Sequence, residues 1–302
     1  MLNFSALRAT RYAKNRKADT LLARIQTTAA AIIILAVTLI PATAADITSK
    51  FEAQSANSTT TIDHTVWDGL LQKYVVASDN DLNRVDYKAW KSNGHAALKA
   101  YLTALQETDP AQLNRNEQYA FWANLYNAKT IDIVLDHYPV SSIRKISLDT
   151  GLFSTLKKTV GAAGPWKTPV LTVMGSKISL DDIEHKILRP VFKDPRVHYA
   201  VNCASIGCPN LATSAFTGAN IDDLLDANAR AYVNARRGIR IDDGSIIASS
   251  IYSWFQSDFG GDEAGVIAHA KKYANDDLRQ ELQNSTGISS YDYDWTLNDI
   301  AK

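Results

Sequence analysis

Apolar residues recur at helical spacing in several separate stretches of the chain. Val66, Leu70, Leu71 and Tyr74 lie at such spacing after His64, which predicts an amphipathic helix. The strongest helical pattern runs from about residue 116 to residue 137 and ends before a Tyr-Pro pair. Further helical patterns cover 96–105, 180–189, 222–236, 251–256 and 263–273.

Shorter stretches have the composition and turn signals of β-strands. "VLTVMGSKISL" (170–180) predicts a hairpin that turns at Gly175-Ser176, and "GIRIDDGSIIAS" (238–249) predicts another that turns at Asp243-Gly244. Residues 197–202 are predicted to form a strand. Together with the helices, these elements predict an α+β fold, a helix-rich single domain with a small and mostly antiparallel sheet.

The first 44 residues have the pattern of a secretory signal peptide. Six basic residues precede an apolar run over 29–40, and "PATA" then places Ala42 and Ala44 as an A-x-A cleavage site. An uncleaved membrane anchor is the alternative, although the apolar run is shorter than a membrane span needs. We therefore expect a signal peptide over 1–44, a flexible leader over 45–62, a domain over 63–300, and a periplasmic or secreted location.

Composition narrows the class of protein. With 46% hydrophobic and 21% charged residues among 302, the chain has the profile of a globular protein. Without its first 44 residues it keeps 26 basic and 31 acidic residues, a net charge of −5, which argues against a nucleic-acid partner. A glycine-rich phosphate loop, a G-x-S-x-G elbow and an H-E-x-x-H motif are missing from the sequence, and we predict no cofactor.

Both cysteines lie in "RVHYAVNCASIGCPNL" (196–211). In a strand, His198 and Asn202 share one face, and Cys203 follows at the start of a loop. An imidazole next to a thiol can generate a thiolate, so Cys203 and His198 are a candidate nucleophile and base.

Two other interpretations of the same loop stay open. Cys203 and Cys208 can close a disulfide in an oxidising compartment, an alternative as strong as the free thiol. A metal site would need both cysteines and His198, but the C-x4-C spacing is not that of a zinc knuckle, and we predict no metal.

The segment "SLDDIEHKILRP" (179–190) predicts a helix that begins at a Ser179 N-cap and ends before Pro190. Glu184 lies on the same face as Leu188 and is the more buried of the pair Glu184 and His185. A buried carboxylate needs a cation or hydrogen-bond donors, for which Arg189, Arg196 or His198 are candidates. A structural ion pair and a catalytic carboxylate both fit this pattern.

Glu117, Asn124 and Asn127 line one side of the predicted helix over 116–137, among aromatic residues. Buried asparagines need partners, so they support a loop backbone or line a substrate pocket; the structural role is favoured because buried polar groups usually serve the backbone. In a later block, Ser250 is the expected N-cap of a helix that carries Trp254, Phe255 and Phe259 into the core.

Five blocks of the chain, taken together and in order, resemble the family of domain of unknown function 547, which occurs in exported bacterial proteins and in plants. The resemblance covers about 67–298 and implies membership of the family without implying an activity. The blocks are "AFWANLYNA" (120–128), "ISLDDIEHKILRP" (178–190), "RVHYAVNCASIGCP" (196–209), "SSIYSWFQSDFGG" (249–261) and "YDWTLN" (293–298).

A distant analogy with papain-like and transglutaminase-like hydrolases rests on a histidine on a strand, but the helix at "FWANLYN" carries asparagine where those enzymes carry cysteine. The resulting hypothesis is a thiol-dependent hydrolase or acyltransferase acting on an amide or thioester. Its alternative is a non-catalytic binding or scaffolding domain with a Cys203–Cys208 disulfide and a small-molecule or peptide ligand. In the hydrolase hypothesis Cys203 is the nucleophile, His198 the base, Glu184 the orienting carboxylate and Asn124 or Asn127 an oxyanion donor. The expected binding residues are Glu117, His185, Arg196, Asn202 and Cys208.

Overall fold

The structure is a computed structural model that describes residues 46–77, 82–148, 164–283, 285 and 287–301. A compact unit begins at Ile47. Its fold is helix-rich α+β, as the sequence predicts. The predicted signal peptide lies outside the described residues. Within them, no helix combines the length and apolar character that a membrane span requires.

The helices provide most of the regular structure. Four of the described helices, α1, α6, α7 and α9 in the list below, have five residues or fewer. A π-helix, Ile183–Phe192, continues directly from α6. In chain order the helices are α1 (Ile47–Phe51), α2 (Thr65–Tyr74), α3 (Tyr87–Asn93), α4 (His95–Glu107), α5 (Arg115–His137), α6 (Leu180–Asp182), α7 (Val197–Ala200), α8 (Ile221–Val233), α9 (Ser250–Trp254), α10 (Glu263–Tyr273) and α11 (Asp276–Gln283).

The described strands form small sheets. Two are antiparallel pairs and the third has three strands, in which β5 and β6 are antiparallel and β6 and β7 are parallel. Both predicted hairpins are confirmed as the pairs β3–β4 and β5–β6. The strands are β1 (Val75–Val76), β2 (Arg84–Val85), β3 (Leu171–Val173), β4 (Ser176–Ile178), β5 (Ile239–Asp242), β6 (Ser245–Ser249) and β7 (Ser290–Asp292).

Helix α5 lies at the centre of the larger hydrophobic core. Its first turn is capped by Asn114, whose side chain accepts a hydrogen bond from the backbone N–H of Glu117. Apolar and polar residues on every side of the helix are buried, including Trp122 and Asn124. A helix that is buried on all sides must satisfy its polar side chains internally. The partners of these side chains therefore connect α5 to the segments around it.

A second, smaller core lies under β5 and β6. It contains Tyr199, Tyr232, Tyr252 and Phe259, together with apolar residues of α10. The Tyr232 hydroxyl donates to the Gly207 carbonyl at 2.7 Å, which attaches the cysteine loop to this core. The cysteine loop thus lies where the two cores meet.

The expectation of a flexible leader over 45–62 differs from the structure. Phe51 of α1 is buried and packs edge-on against Trp122, with ring centroids 5.0 Å apart. The backbone N–H of Ile62 donates to a Glu117 carboxylate oxygen at 2.8 Å. The ring contact covers Trp122 of α5, and the hydrogen bond gives the buried Glu117 carboxylate a partner. Both therefore attach the segment to α5.

The predicted strand over 197–202 is wrong, since its first part is the four-residue helix α7. The cause is the preceding Asp194-Pro195 turn. The Asp194 carboxylate accepts from the Arg196 N–H at 2.9 Å, and the His198 N–H donates to the Pro195 carbonyl at 3.3 Å. A helix removes the predicted alternation of faces, so His198 and Tyr199 are both buried.

The helix predicted to end before Pro190 instead passes through it. Ser179 is the N-cap, as predicted, and forms a capping box with Asp182. The wider π-helical turn of Ile183–Phe192 contains Pro190, and the helix ends at Lys193 in a left-handed conformation with φ 51°. A π-helix changes which backbone groups pair, so a proline is accommodated where an α-helix would break.

The block around 249–261 is also different from the prediction. Ser249, not Ser250, caps α9 and accepts from the Ile251 N–H at 3.2 Å. Trp254, expected in the core, is 49% exposed, whereas Phe259 is buried as expected. The short helix α9 is followed by a 3-10 turn, Gln256–Phe259, so the two rings do not follow a single helical period.

Candidate functional site

Cys203 and Cys208 are joined in a disulfide, and neither is a free thiol. Cys208 is buried, and Cys203 is partly exposed. The Tyr293 hydroxyl lies 3.0 Å from the Cys203 sulfur and donates to the Cys208 sulfur at 3.1 Å. Of the two alternatives that the sequence left equally open, the disulfide is the one present.

Two asparagines hold the disulfide loop, residues 202–209, in shape. The Asn127 side chain donates to the Ala200 carbonyl at 2.8 Å and accepts from the Asn202 N–H at 2.8 Å. The Asn202 side chain donates to the Pro209 carbonyl at 2.6 Å and accepts from the Ala204 N–H at 2.8 Å. Both asparagines are buried, so the hydrogen-bonding atoms predicted to serve an oxyanion or ligand instead serve the loop backbone.

The thiolate hypothesis requires a contact between His198 and Cys203, but the two side chains have other partners. Its Nε2 lies 2.7 Å from an Asp258 carboxylate oxygen, and its ring stacks on Phe255 with centroids 4.3 Å apart. The contacts of the Cys203 sulfur outside the disulfide are to Ser205 and Tyr293. Because α7 is a helix, the imidazole is directed to α9 and the 3-10 turn that follows it.

Asp258 joins His198 to Arg189. Arg189 donates to both carboxylate oxygens of Asp258, from Nε and from Nη2, and its guanidinium lies 4.9 Å from the centre of the Phe255 ring. Burial acts to raise the pKa of Asp258, but the hydrogen bonds from His198 and Arg189 outweigh it and lower this pKa below its usual range. These three side chains form an ionic network, called here the imidazole–carboxylate network.

Glu184 lies beside this network with a partner that the sequence did not assign to it. The Tyr126 hydroxyl donates to its carboxylate at 3.1 Å. None of the three predicted cations forms an ion pair with Glu184. His185 Nδ1 is 3.9 Å from the other Glu184 oxygen and 3.3 Å from Arg189. The His185 side chain is 32% exposed and reaches solvent, whereas the Glu184 side chain is 11% exposed and mostly buried.

Glu117 and Asn124 contact other parts of the chain. Glu117 accepts from the backbone N–H groups of Ile62 and Gly218, both at 2.8 Å. Asn124 donates to the Phe216 carbonyl at 2.7 Å and accepts from the Phe216 N–H at 3.1 Å. Both side chains are buried and fix backbone segments, which is the structural role that the sequence favoured for Asn124.

Arg196, a predicted binding residue, contacts neither Glu184 nor the disulfide. It donates to Asp194, Asp222 and Asp226 at 2.7 to 2.8 Å. The hydrogen bond with Asp194, which outweighs the effect of burial, raises the pKa of Arg196. This cation therefore connects α7 to α8.

Aromatic rings form a partly exposed surface at the disulfide loop, called here the ring surface. It consists of Trp166, Trp254, Tyr293 and Trp295, whose neighbouring centroids are 4.6 to 5.7 Å apart. Trp254 and Trp295 are nearly parallel, at 26°. Burial raises the pKa of Tyr293, and the charge of Glu184 adds a smaller effect in the same direction.

Sequence analysis did not identify Tyr126, Asp258, Tyr293 or Trp295 as parts of a site. Asp258 lies 60 residues from His198, and Tyr293 lies 85 residues from Cys208. Spacing along the chain carries no signal for such contacts. The one signal in the sequence is compositional: the six-residue stretch "YDWTLN" (293–298) contains two large aromatic residues.

One cluster in the described part of the chain has the donor atoms of a metal site. His95, Asp132 and Asp136 offer ligand atoms within 4.8 Å of one another. Lys99 donates to both carboxylates, and Lys129 donates to Asp132 at 2.8 Å. These ammonium groups already neutralise the carboxylates, so the cluster is an ion-pair network and does not favour a divalent cation. The absence of a metal stays a prediction.

Comparison with known proteins gives a family and no activity. No curated protein and no solved structure shows significant similarity to the chain. The analogy with papain-like and transglutaminase-like folds therefore stays a prediction. Residues 110–233 match the model of the family described as "Protein of unknown function, DUF547". This stretch contains Glu184, His198 and the disulfide, while Asp258 and most of the ring surface lie beyond it. The chain therefore carries a domain of the DUF547 family.

Proposed function

We propose that this chain is an exported, non-catalytic binding domain and that it binds a saccharide on the ring surface beside Glu184. The observation that carries the proposal is the partly exposed group of aromatic rings next to a carboxylate and an imidazole. Ligand sites are typically apolar and aromatic, with a few polar groups that fix orientation. Sugar rings fit such a surface because their C–H faces pack on aromatic faces while their hydroxyl groups bind carboxylates.

The geometry of the rings supports this ligand class. Trp254 is 49% exposed and stacks on Trp295, which supports its ring from one side and leaves an apolar ring surface open to a ligand. Glu184 accepts one hydrogen bond from Tyr126, which leaves lone pairs for hydroxyl groups. His185, partly exposed, offers a further polar atom at the edge of the site.

Export is supported by two independent features. The basic and apolar start followed by an A-x-A site is typical of a signal peptide. The Cys203–Cys208 disulfide is compatible with an oxidising compartment outside the cytoplasm. We therefore place the protein in the periplasm or outside the cell.

Tryptophan fluorescence of the mature chain, residues 45–302, tests the binding proposal. Titration with chitotetraose, cellotetraose and maltotetraose should quench or shift the emission for at least one of them. Trp254→Ala should lower the affinity at least tenfold, because it removes the most exposed ring. Val66→Ala is the matched control, since Val66 is also 49% exposed and lies on helix α2. Absence of binding to all three sugars, or equal affinity in Trp254→Ala, contradicts the proposal.

Thiol chemistry is the second candidate function. It is supported by the partial exposure of Cys203 and by the hydroxyl groups of Ser205 and Tyr293 at its sulfur. In this hypothesis the disulfide must first be reduced, and Cys203 then attacks an amide or thioester. His198 would have to leave Asp258 to act as its base.

A thiol titration of protein denatured without a reductant, together with an assay of thioester hydrolysis, separates the two candidates. We expect no free thiol in the unreduced protein, and no thioester hydrolysis either before or after a reductant is added. Turnover that appears only with the reductant and disappears in Cys203→Ser would favour the thiol enzyme over the binding domain.

A further inference from the structure

A cleft away from the ring surface has the features of a second binding site. It has a volume of about 140 Å³ and lies between the start of α5, the end of the π-helix and the start of α8. Two arginines, two aspartates and three apolar side chains line it, so it is mixed in character. The lining residues that matter here are Arg115, Tyr119, Phe192, Asp194, Arg196 and Asp222.

Tyr119 brings an unpartnered polar atom to this cleft. Its side chain is buried, with 4% of the residue exposed, and its hydroxyl has no hydrogen-bond partner in the described part of the chain. A buried hydroxyl without a partner is costly, and native structures rarely contain one without a reason. Burial raises the pKa of Tyr119 well above its usual value, with smaller effects from Asp194, Arg196 and Arg115. The phenol therefore keeps its proton and can donate it.

Arg115 brings a positive charge without an anionic partner. Its guanidinium donates to the backbone carbonyls of Val191 and Phe192, and no carboxylate of the described residues pairs with it. It is also the first residue of α5, where backbone N–H groups lack intrahelical partners and the helix dipole is positive. Arg115, Tyr119 and this helix end are together suited to a carboxylate.

The opposite side of the cleft is negative. The two lining carboxylates, those of Asp194 and Asp222, both pair with Arg196, which also pairs with Asp226. Asp226 has a second cation in Arg230, at 3.5 Å. The Asp222 side chain is 67% exposed, so it remains accessible to a ligand. A simple anion would meet this negative charge, whereas a molecule with a carboxylate and an ammonium group matches both sides.

We propose that this cleft binds a small α-amino acid as its zwitterion. Arg115 and the Tyr119 hydroxyl bind the carboxylate, and Asp222 with Asp194 binds the ammonium group. Phe192, Ile221 and Leu225 receive an aliphatic side chain. A cleft of about 140 Å³ has room for a small ligand such as alanine or valine.

Calorimetric titration of the mature chain with L-valine tests this proposal, with propionate and propylamine as probes of each charge alone. L-Valine should bind at least about tenfold more tightly than either probe, because each charge adds a charge-assisted hydrogen bond. Equal affinity for L-valine and propionate, or no heat with L-valine, would overturn the zwitterion proposal.

Two variants test whether L-valine binds in this cleft. Tyr119→Phe removes only the hydroxyl and should lower the affinity for L-valine about tenfold, in the range expected of a hydrogen bond to a charged group. Arg115→Met should abolish binding, while Arg236→Met, which removes an exposed arginine elsewhere, should leave it unchanged. Circular dichroism checks that each variant is folded. Undiminished binding in folded Tyr119→Phe and Arg115→Met would show that the site lies elsewhere and overturn the proposal.

Discussion

The disulfide loop and the ring surface touch each other at Tyr293, yet they use their polar groups in opposite ways. In the loop, Asn127 and Asn202 are buried and bond to backbone groups. Beside the ring surface, Glu184 is mostly buried and accepts one hydrogen bond from Tyr126, while His185 is 32% exposed. Buried amides with all their partners inside the chain stabilise one conformation. Partly exposed charged groups among aromatic rings are suited to a ligand.

This difference separates the residues that the sequence grouped together. The expectation placed cysteine, histidine, glutamate and asparagine in one reaction centre. In the structure, Asn127 and Cys208 stabilise the disulfide loop, whereas Glu184 and His185 lie beside the ring surface. Variants of the loop should therefore change stability without direct effects on a ligand, and variants of the surface should do the reverse.

The largest effect on stability is expected for Asn127→Ala. The substitution leaves the Asn202 N–H and the Ala200 carbonyl without partners inside the protein. We expect a loss of about 3 kcal/mol in the free energy of unfolding, from two unsatisfied buried groups. Urea unfolding followed by circular dichroism measures it. Asn93→Ala, at an exposed helical asparagine, should change the same quantity by less than about 0.5 kcal/mol.

Removal of the disulfide should have the next largest effect. The Cys203→Ala/Cys208→Ala double variant frees a short loop in the unfolded chain, and a loss of about 2 kcal/mol is expected from the loop-entropy model. Wild-type protein treated with a reductant should lose a similar amount. If the double variant unfolds at the same urea concentration as oxidised wild type, the loop is held by its asparagines alone.

Asp258→Asn tests the imidazole–carboxylate network through its pH dependence. The pKa of Asp258 is lower in the folded chain than in the unfolded chain, so the native state binds fewer protons in acid. This contribution to stability is present above about pH 4 and is lost as the pH falls below it. We expect the variant to lose about 1 kcal/mol of its free energy of unfolding at pH 7, a value reduced because Asp258 and Arg189 are partly exposed. The free energy of unfolding, measured with urea at several pH values between 4 and 2, should fall less steeply in the variant than in the wild type. An equal fall with pH in both proteins would contradict the role given to Asp258.

The smallest effect on stability is expected at the ring surface itself. Glu184→Gln keeps an acceptor for Tyr126 and should change the free energy of unfolding by less than about 1 kcal/mol. It should still weaken saccharide binding, because the charge of the carboxylate strengthens its hydrogen bonds to hydroxyl groups. Fluorescence titration and urea unfolding on the same samples compare the two effects. A large loss of stability with unchanged binding would reverse the assignment of the two regions.

Local signals predicted much of the fold. The apolar period of α5, the Ser179 cap and the Asp243-Gly244 turn each depend on neighbours within a few residues, and each is present. Residues 197–202 were misjudged because a short apolar segment fits a helix or a strand. Its helical form depends on the Asp194-Pro195 turn just before it.

The candidate site was less predictable because its contacts join distant parts of the chain. The sequence identified Glu184 and His198 as polar residues that need partners, which is a local inference. It did not identify Tyr126 for Glu184 or Asp258 for His198. Those pairings are decided by the packing of α5 against the π-helix and of α7 against the 3-10 turn Gln256–Phe259, and sequence spacing does not encode that packing.

The segment over residues 290–300 completes the ring surface. Residues 290–300 pair with β6 and β2 and pass along the disulfide loop, with the Ile206 N–H donating to the Thr296 carbonyl and the Val85 N–H to the Asn298 carbonyl. Tyr293 and Trp295 belong to this segment. A substitution that loosens the pairing of this segment with β6 and β2 should therefore also move Tyr293 and Trp295, two of the four rings of the ring surface.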